Sequence, residues 1–235
     1  NKYPLPQIAE MTMANRKIGL GVMGWADMLI ALGIPYNADE AVELGEKVMK
    51  FISDRGREAS VALAAARGVF PNFAESIYGK KGDAPVRNAT VTTIAPTGTI
   101  SIIANVSSGV EPLFAVSYIR QVMDNDILVE VHPYFEKLAR ERGFYSPELM
   151  QRIAERGSVQ GIDEIPDDVK KIFVTAHDIT PEVHIRMQAA FQKYTDNAVS
   201  KTVNFRKSAT IQDVARVYEL AYQLDCKGVT IYRDG

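Results

Sequence analysis

One helix-opening device recurs through the second half of the chain. Ser146-Pro147-Glu148 and Thr180-Pro181-Glu182 each place a hydroxyl at a helix N-cap, a proline at the first helical position and an acid in the first turn. Thr210 with Asp213 forms the related capping box, with Asp where Glu or Gln is usual. Around these starts lie short β-branched or apolar runs: ATVTTIA at 89–95, LFAVSYIRQV at 113–122, KTVNF at 201–205 and KGVTIY at 227–232. Strands alternating with helices dictate an α/β class.

The first half adds helices to the same pattern. Apolar residues at Ile18, Val22, Trp25, Leu29 and Leu32 follow a helical period, so residues 7–32 are expected to be helical. Asn37 is placed to cap a second helix over residues 38–66. PNFAESIYG reads as a short helix and turn, KKGDAPVRN as a loop, and ISIIA at 100–104 as the start of a short buried helix. SSGVEP reads as a loop, DNDILVEVHPYFEKLARERG at 124–143 as a helix, and the helix after Thr210 is expected to end near Asp225.

Bulk properties exclude several classes. A net charge of −2 lacks the basic excess that broad phosphate-backbone binding demands, so no nucleic-acid partner is expected. The longest apolar runs are far too short to span a bilayer, and NKYPLPQIAEMT has no signal-peptide core. No membrane partner is expected. The single cysteine, Cys226, cannot form an intrachain disulfide, which favours a reducing, cytoplasmic setting. A start at Asn1 and an end at Tyr232-Arg233-Asp234-Gly235, a turn signal straight after a strand, read as the cut ends of a larger protein.

Two glycine motifs bear on function. GLGVMG at 19–24 matches G-x-G-x-x-G, but a dinucleotide fingerprint follows a strand and opens a helix. Here it falls inside the helical stripe, where close packing of a glycine-bearing helix is the expected role. PTGTIS at 96–101 follows a strand that ends at Ala95. Pro96 fixes one φ, Gly98 can take backbone angles closed to other residues, and a helix starting at Thr99 or Ile100 leaves N–H groups free. With the hydroxyls of Thr97, Thr99 and Ser101, those donors suit a phosphate. A capped strand-to-helix turn with no ligand is the alternative, and the absence of a following lysine excludes a Walker-type loop.

RKIGLGVMGWADML, PTGTIS with NVSSGVEP, HIRMQAAFQKYTDNAVSKTVNF and CKGVTIYRDG together resemble the large subunit of ribonucleotide reductases, in that family's order and over nearly the whole chain. The adenosylcobalamin-dependent class (class II) is the nearest likeness. Iron-dependent members usually have a PSxxSS-like loop where PTGTIS stands, and a Tyr-Tyr pair where this chain has Ile231-Tyr232. The resemblance implies the second half of a ten-stranded α/β barrel, with residues 1–235 as the C-terminal part of the barrel domain. It implies that Pro96, Thr97, Gly98, Thr99 and Ile100 hold the substrate's phosphates, mainly through backbone N–H groups. Asn105, Ser107, Ser108, Gly109 and Glu111 would shape the adjoining loop, Glu111 as a carboxylate with a structural partner. Tyr232 would face cofactor or substrate, or serve as a rim aromatic. The implied cofactor is adenosylcobalamin.

The family's radical cysteine lies in an N-x-C-x-E segment, and two further cysteines supply electrons. The resemblance places these, with the assisting Asn and Glu, outside this chain, which is therefore expected to be inactive alone. The implied partners are a ribonucleotide, diphosphate or triphosphate, the remainder of the catalytic chain, an external thiol reductant such as thioredoxin, and a second copy in a homodimer. Cys226 follows YELAYQLD at a helix C-terminus, where the dipole disfavours thiolate, so a structural cysteine is expected. His132, His177 and His184 have no metal-ligand spacing, and no metal is assigned. A nucleotide-binding module without chemistry, or a split-gene subunit, is the competing reading. An exposed half-barrel edge would favour aggregation.

Overall fold

The computed structural model describes residues 2–121 and 127–234. Its helices are α1 (Pro6–Asn15), α2 (Trp25–Leu32), α3 (Asp39–Arg67), α4 (Ile77–Lys81), α5 (Gly98–Ala104), α6 (Pro133–Glu141), α7 (Pro147–Arg156), α8 (Asp167–Ile172), α9 (Pro181–Gln192) and α10 (Ile211–Gln223). The strands are β1 (Ser117–Gln121), β2 (Ile127–Val131), β3 (Thr202–Phe205) and β4 (Thr230–Arg233).

Parallel pairing organises the chain. Leu20 bridges Thr92, Ile94 bridges Val199, and β3 pairs in parallel with β4 from Thr202↔Thr230 to Phe205↔Arg233. Extended chain at 18–21, 91–95, 199–205 and 230–233 therefore lies side by side in sequence order, with helices in the connections. A further parallel bridge joins Leu113 to Thr175. Among the described residues these segments form part of an α/β array and do not close a barrel. No described helix is long and apolar enough to cross a membrane.

The main core gathers Trp25, Leu29, Met49, Phe135, Ile153, Phe173 and Phe191. Gly45 explains why α3 lies so close to α9: a Cβ there would stand 2.8 Å from the Phe191 ring. Trp25 meets that ring edge-on at 5.0 Å. A second, smaller core of Ile185, Val203, Phe205, Val217 and Ala221 lies under α10.

The three helix starts appear as written. Ser146 Oγ accepts from Leu149 N at 3.0 Å, and Thr210 and Asp213 complete a reciprocal capping box. Thr180 stands at its N-cap without a side-chain bond. α10 ends at Gln223, just short of Asp225, while PNFAESIYG gives two short helical pieces rather than one, 71–73 and 77–81, the second reaching two residues into the expected loop.

Other elements differ from expectation. Residues 7–32 are not one helix. α1 stops where Arg16 turns left-handed (φ 47°), and GLGVMG runs extended before Gly24 caps α2. Helix packing is thus not what its glycines serve. A Cβ on Gly21 would stand 2.1 Å from Thr93 O, and one on Gly19 2.4 Å from Thr93 Cγ2. The glycines let this segment lie flat on residues 91–95, where Thr93 N donates to Leu20 O at 2.9 Å. Gly21→Ala is expected to cost about 3 kcal/mol, the upper end for overpacking, because the atom struck is backbone. Chemical denaturation would measure it, and a loss under about 1 kcal/mol would contradict the flat packing.

Ala38, not Asn37, occupies the N-cap of α3, and Asp39 and Glu40 complement its dipole instead. ATVTTIA makes isolated bridges rather than a continuous ladder. Residues 127–131 are β2, antiparallel to β1, rather than helix: Ile127, Val129 and Val131 are spaced for a pleat, and Pro133 can only begin α6. The last residue of the expected strand, Val122, and the expected helix start at 124 lie outside the described residues. α5 is not buried, since Ile100, Ile102 and Ile103 are 55–80% exposed.

Candidate functional site

The turn after the 91–95 segment is built from two motifs that are far apart in sequence. Thr97 holds φ 54° and caps α5, which begins at Gly98. The strained left-handed residue is Thr97, not Gly98 as expected. Gly98 matters for space: a Cβ there meets nothing within 4 Å, so the turn is open on that side. The first backbone bond of α5 runs from Ser101 N to Thr97 O at 2.9 Å. The N–H groups of Gly98, Thr99 and Ile100 precede any intrahelical acceptor.

The loop at 105–111 braces this turn. Gly109 N donates to Thr97 Oγ1 at 2.7 Å, so the hydroxyl proton of Thr97 is left to point elsewhere. A Cβ on Gly109 would stand 3.1 Å from Ala95 O. Ser101 is buried and its hydroxyl bonds Gly98 O and Ser108 Oγ, so it is a brace rather than the outward donor expected. Asn105 ends α5 in a left-handed C-cap.

GLGVMG supports the same loop. Gly24 N donates to Ser107 O at 2.8 Å, and Trp25 N to Gly109 O at 3.4 Å. One turn on, Asp27 Oδ2 accepts from Ser107 N at 2.6 Å while Oδ1 accepts from His132 Nε2 at 3.0 Å. Burial alone would raise the Asp27 pKa. The bonds from His132 and Ser107 outweigh it and hold the carboxyl down at about 2. A carboxylate depressed from 3.8 to about 2 stabilises the fold above pH 3.8, and that stability is lost as pH falls through 2. Asp27→Asn is expected to cost about 2 kcal/mol at neutral pH, with the gap to wild type closing between pH 4 and 2. Urea titrations across that range test it, and a pH-independent gap would contradict it.

Behind the loop lies a buried ionic cluster. Glu111 Oε2 accepts from Lys201 Nζ at 2.8 Å, and its Oε1 from Thr202 N at 2.6 Å, so Glu111 has the structural partner expected. Lys201 also donates to His184 Nδ1 at 2.8 Å and Thr202 O at 3.2 Å. His184 Nε2 stands 3.1 Å from Ala176 O, which can only accept, so His184 carries its proton on Nε2. Burial first, then the Lys201 charge, hold His184 down at about 3. Tyr36 covers the cluster, its ring centroid 5.8 Å from Lys201 Nζ and its hydroxyl donating to Val110 O at 2.6 Å.

The remaining candidates lie elsewhere. Cys226 is half-buried after α10, and burial with Asp225 pushes its thiol up to about 11, the opposite of an activated nucleophile. His177 packs edge-on to Phe114 and stands 3.6 Å from Asp234. Tyr232 is 54% exposed on β4, opposite Asn204. Among the described residues no three His, Cys, Asp or Glu side chains gather as a metal site. Lys201, Asp27 and Tyr36 were not legible as site residues, since no spacing announces a buried lysine or a carboxylate one turn into a helix. The polar residues of HIRMQAAFQKYTDN clamp backbone: Gln188 binds Val199 O and Gly228 O, Gln192 binds Asn197 O, and Asp196 accepts from Val91 N and Thr92 N.

Residues 1–232 match the family model described as ribonucleotide reductase, barrel domain. The chain is 56% identical, over 100% of its length and 30% of the relative's, to the vitamin B12-dependent ribonucleoside-diphosphate reductase of Thermoplasma acidophilum. It is 48% identical to the reductase of that name from Mycobacterium tuberculosis, covering 100% of this chain and 34% of that one. Among solved structures, the class Id ribonucleotide reductase alpha subunit of Actinobacillus ureae superposes with TM-score 0.83 at 27% identity, over 99% of this chain and 42% of that one. The chain spans about a third of the length of these curated relatives.

Proposed function

The chain belongs to the ribonucleotide reductase barrel-domain family, and from that premise we propose that it is the C-terminal part of the barrel in the catalytic chain of a vitamin B12-dependent reductase, the second half of a ten-stranded barrel. The observation that carries this reading is 56% identity across the whole chain to a reductase of that description. The substrate proposed is a ribonucleoside diphosphate, after the relatives' names, and the product its deoxyribonucleotide.

Residues 96–100 are proposed as the seat of the substrate's phosphates. Three features support this. The N–H groups of Gly98, Thr99 and Ile100 converge at one helix start. The Thr97 hydroxyl has its acceptor side occupied by Gly109 N, at 2.7 Å, and its proton free. Gly98 leaves open space where the phosphate must approach. The radical cysteine and the thiol pair that the chemistry needs would come from the remainder of the catalytic chain. Cys226, with its raised pKa, does not suit either role.

The cofactor proposed, after the relatives' names, is adenosylcobalamin. A cavity of about 380 Å³ lies where β3 meets the starts of α9 and α10. Charged residues such as Arg206 and Asp213 line it. Tyr232 remains the one side chain proposed for a cofactor or substrate face.

The test compares the intact protein with this 235-residue chain in deoxynucleotide formation from CDP and CTP, with and without adenosylcobalamin. Cobalamin-dependent product from the intact protein only is expected. Product without cobalamin would overturn the class. For the loop, Gly98→Asp in the intact protein should weaken CDP binding at least about tenfold, read by calorimetry, because a carboxylate then occupies the anion's approach. Unchanged binding would remove the loop from the site.

A further inference from the structure

The cluster behind the loop closes a ring. Glu111 bonds Lys201, Lys201 bonds His184, His184 bonds Ala176 O, and Ala176 N returns to Leu113 O at 2.8 Å. Lys201 is fully buried, and its three donors meet three acceptors: Glu111 Oε2, His184 Nδ1 and Thr202 O. Only an ammonium satisfies all three at once. Apolar side chains could fill such a space at no loss of stability, whereas a buried ion pair tolerates one narrow arrangement. What that arrangement holds is Glu111, two residues from Gly109, whose N–H fixes the Thr97 hydroxyl.

Resting on the reading of residues 96–100 as the phosphate loop, we infer that Lys201 and Glu111 are positioning residues for nucleotide phosphates. The buried ammonium sets Glu111. Glu111 sets the 107–111 loop from behind, and Gly109 sets Thr97 and the direction of the N–H groups that follow. Neither residue touches the substrate.

The test is equilibrium binding to the intact protein with CDP and, by competition, cytidine, which has the same base and sugar without phosphates. Lys201→Met is expected to weaken CDP roughly tenfold or more and cytidine less than about twofold. Glu111→Gln keeps the volume and an acceptor for Thr202 N–H, and should weaken CDP about threefold with the same selectivity. If Lys201→Met does not fold, Glu111→Gln decides. Wild-type CDP affinity in the variants, or equal loss of CDP and cytidine, would overturn the proposal, because a merely structural role has no preference for phosphate. Gly98→Asp, measured alongside, separates the two readings. Unchanged CDP binding there removes the phosphate loop and this proposal with it. Weakened binding there, with unaffected positioning variants, overturns this proposal alone.

Discussion

Lys201→Met should lower the folding stability of the intact protein by about 3–5 kcal/mol, the range for breaking a buried ion pair from one side. The thioether fills most of the volume, so the loss is electrostatic rather than a cavity. Glu111 is left as a carboxylate without its cation, though Thr202 N still donates to it at 2.6 Å. His184 Nδ1 and Thr202 O also lose their donor. Replacing Glu111 and His184 as well with apolar residues of similar volume should recover much of the loss, because the cost lies in the unpaired groups. Denaturant midpoints for the single and triple variants measure this. A single-variant loss below about 1 kcal/mol would show that the cluster is not a tightly paired ion site.

The second large effect is on acid stability. His184 is fully buried, neutral and held at about 3, against an ordinary 6.5. Above pH 6.5 neither folded nor unfolded protein binds this proton, and the group is silent. As pH falls below 6.5 the unfolded chain takes up the proton and the folded one refuses it, so stability drops by about 1.4 kcal/mol per pH unit until pH reaches 3. The full span is on the order of 5 kcal/mol. His184→Gln removes the titration. Its stability should therefore fall less steeply than wild type between pH 6 and 4, by about one proton's worth of slope. Parallel slopes would mean that His184 already carries a proton in the folded state.

The helix starts at Ser146, Thr180 and Thr210 were legible because capping is local chemistry, settled within four residues. The turn at 96–100 was legible as a break between apolar runs, and its proposed phosphate role comes from the resemblance. GLGVMG misled because a helical period cannot tell a helix from chain that is pressed flat on a neighbour. Thr93, the residue that demands the glycines, lies some 70 positions away, where sequence spacing gives no hint. The same blindness hid Lys201, which reads as the polar lead of a strand until the fold brings Glu111 and His184 around it. Ser101 faces inward because α5 turns its isoleucines to the outside, which an apolar run alone does not reveal. Asn37 lost the cap to Ala38 because residues 37–39 offer several boundaries one position apart.

The two cores differ in the length of chain that must close to build them. The strand–helix–strand unit of β3, α10 and β4 closes within one short stretch of chain and, with Ile185 of α9, builds the smaller core. The other parallel contacts must join residues 72 apart, as Leu20 with Thr92, and 105 apart, as Ile94 with Val199. Loop closure of that length is slow, and it precedes any reward from packing. The C-terminal unit is thus able to form early and wait, and Lys201 stands at its leading edge. Glu111 lies 90 residues before Lys201, so the 107–111 loop gains its rear support only when that long contact closes.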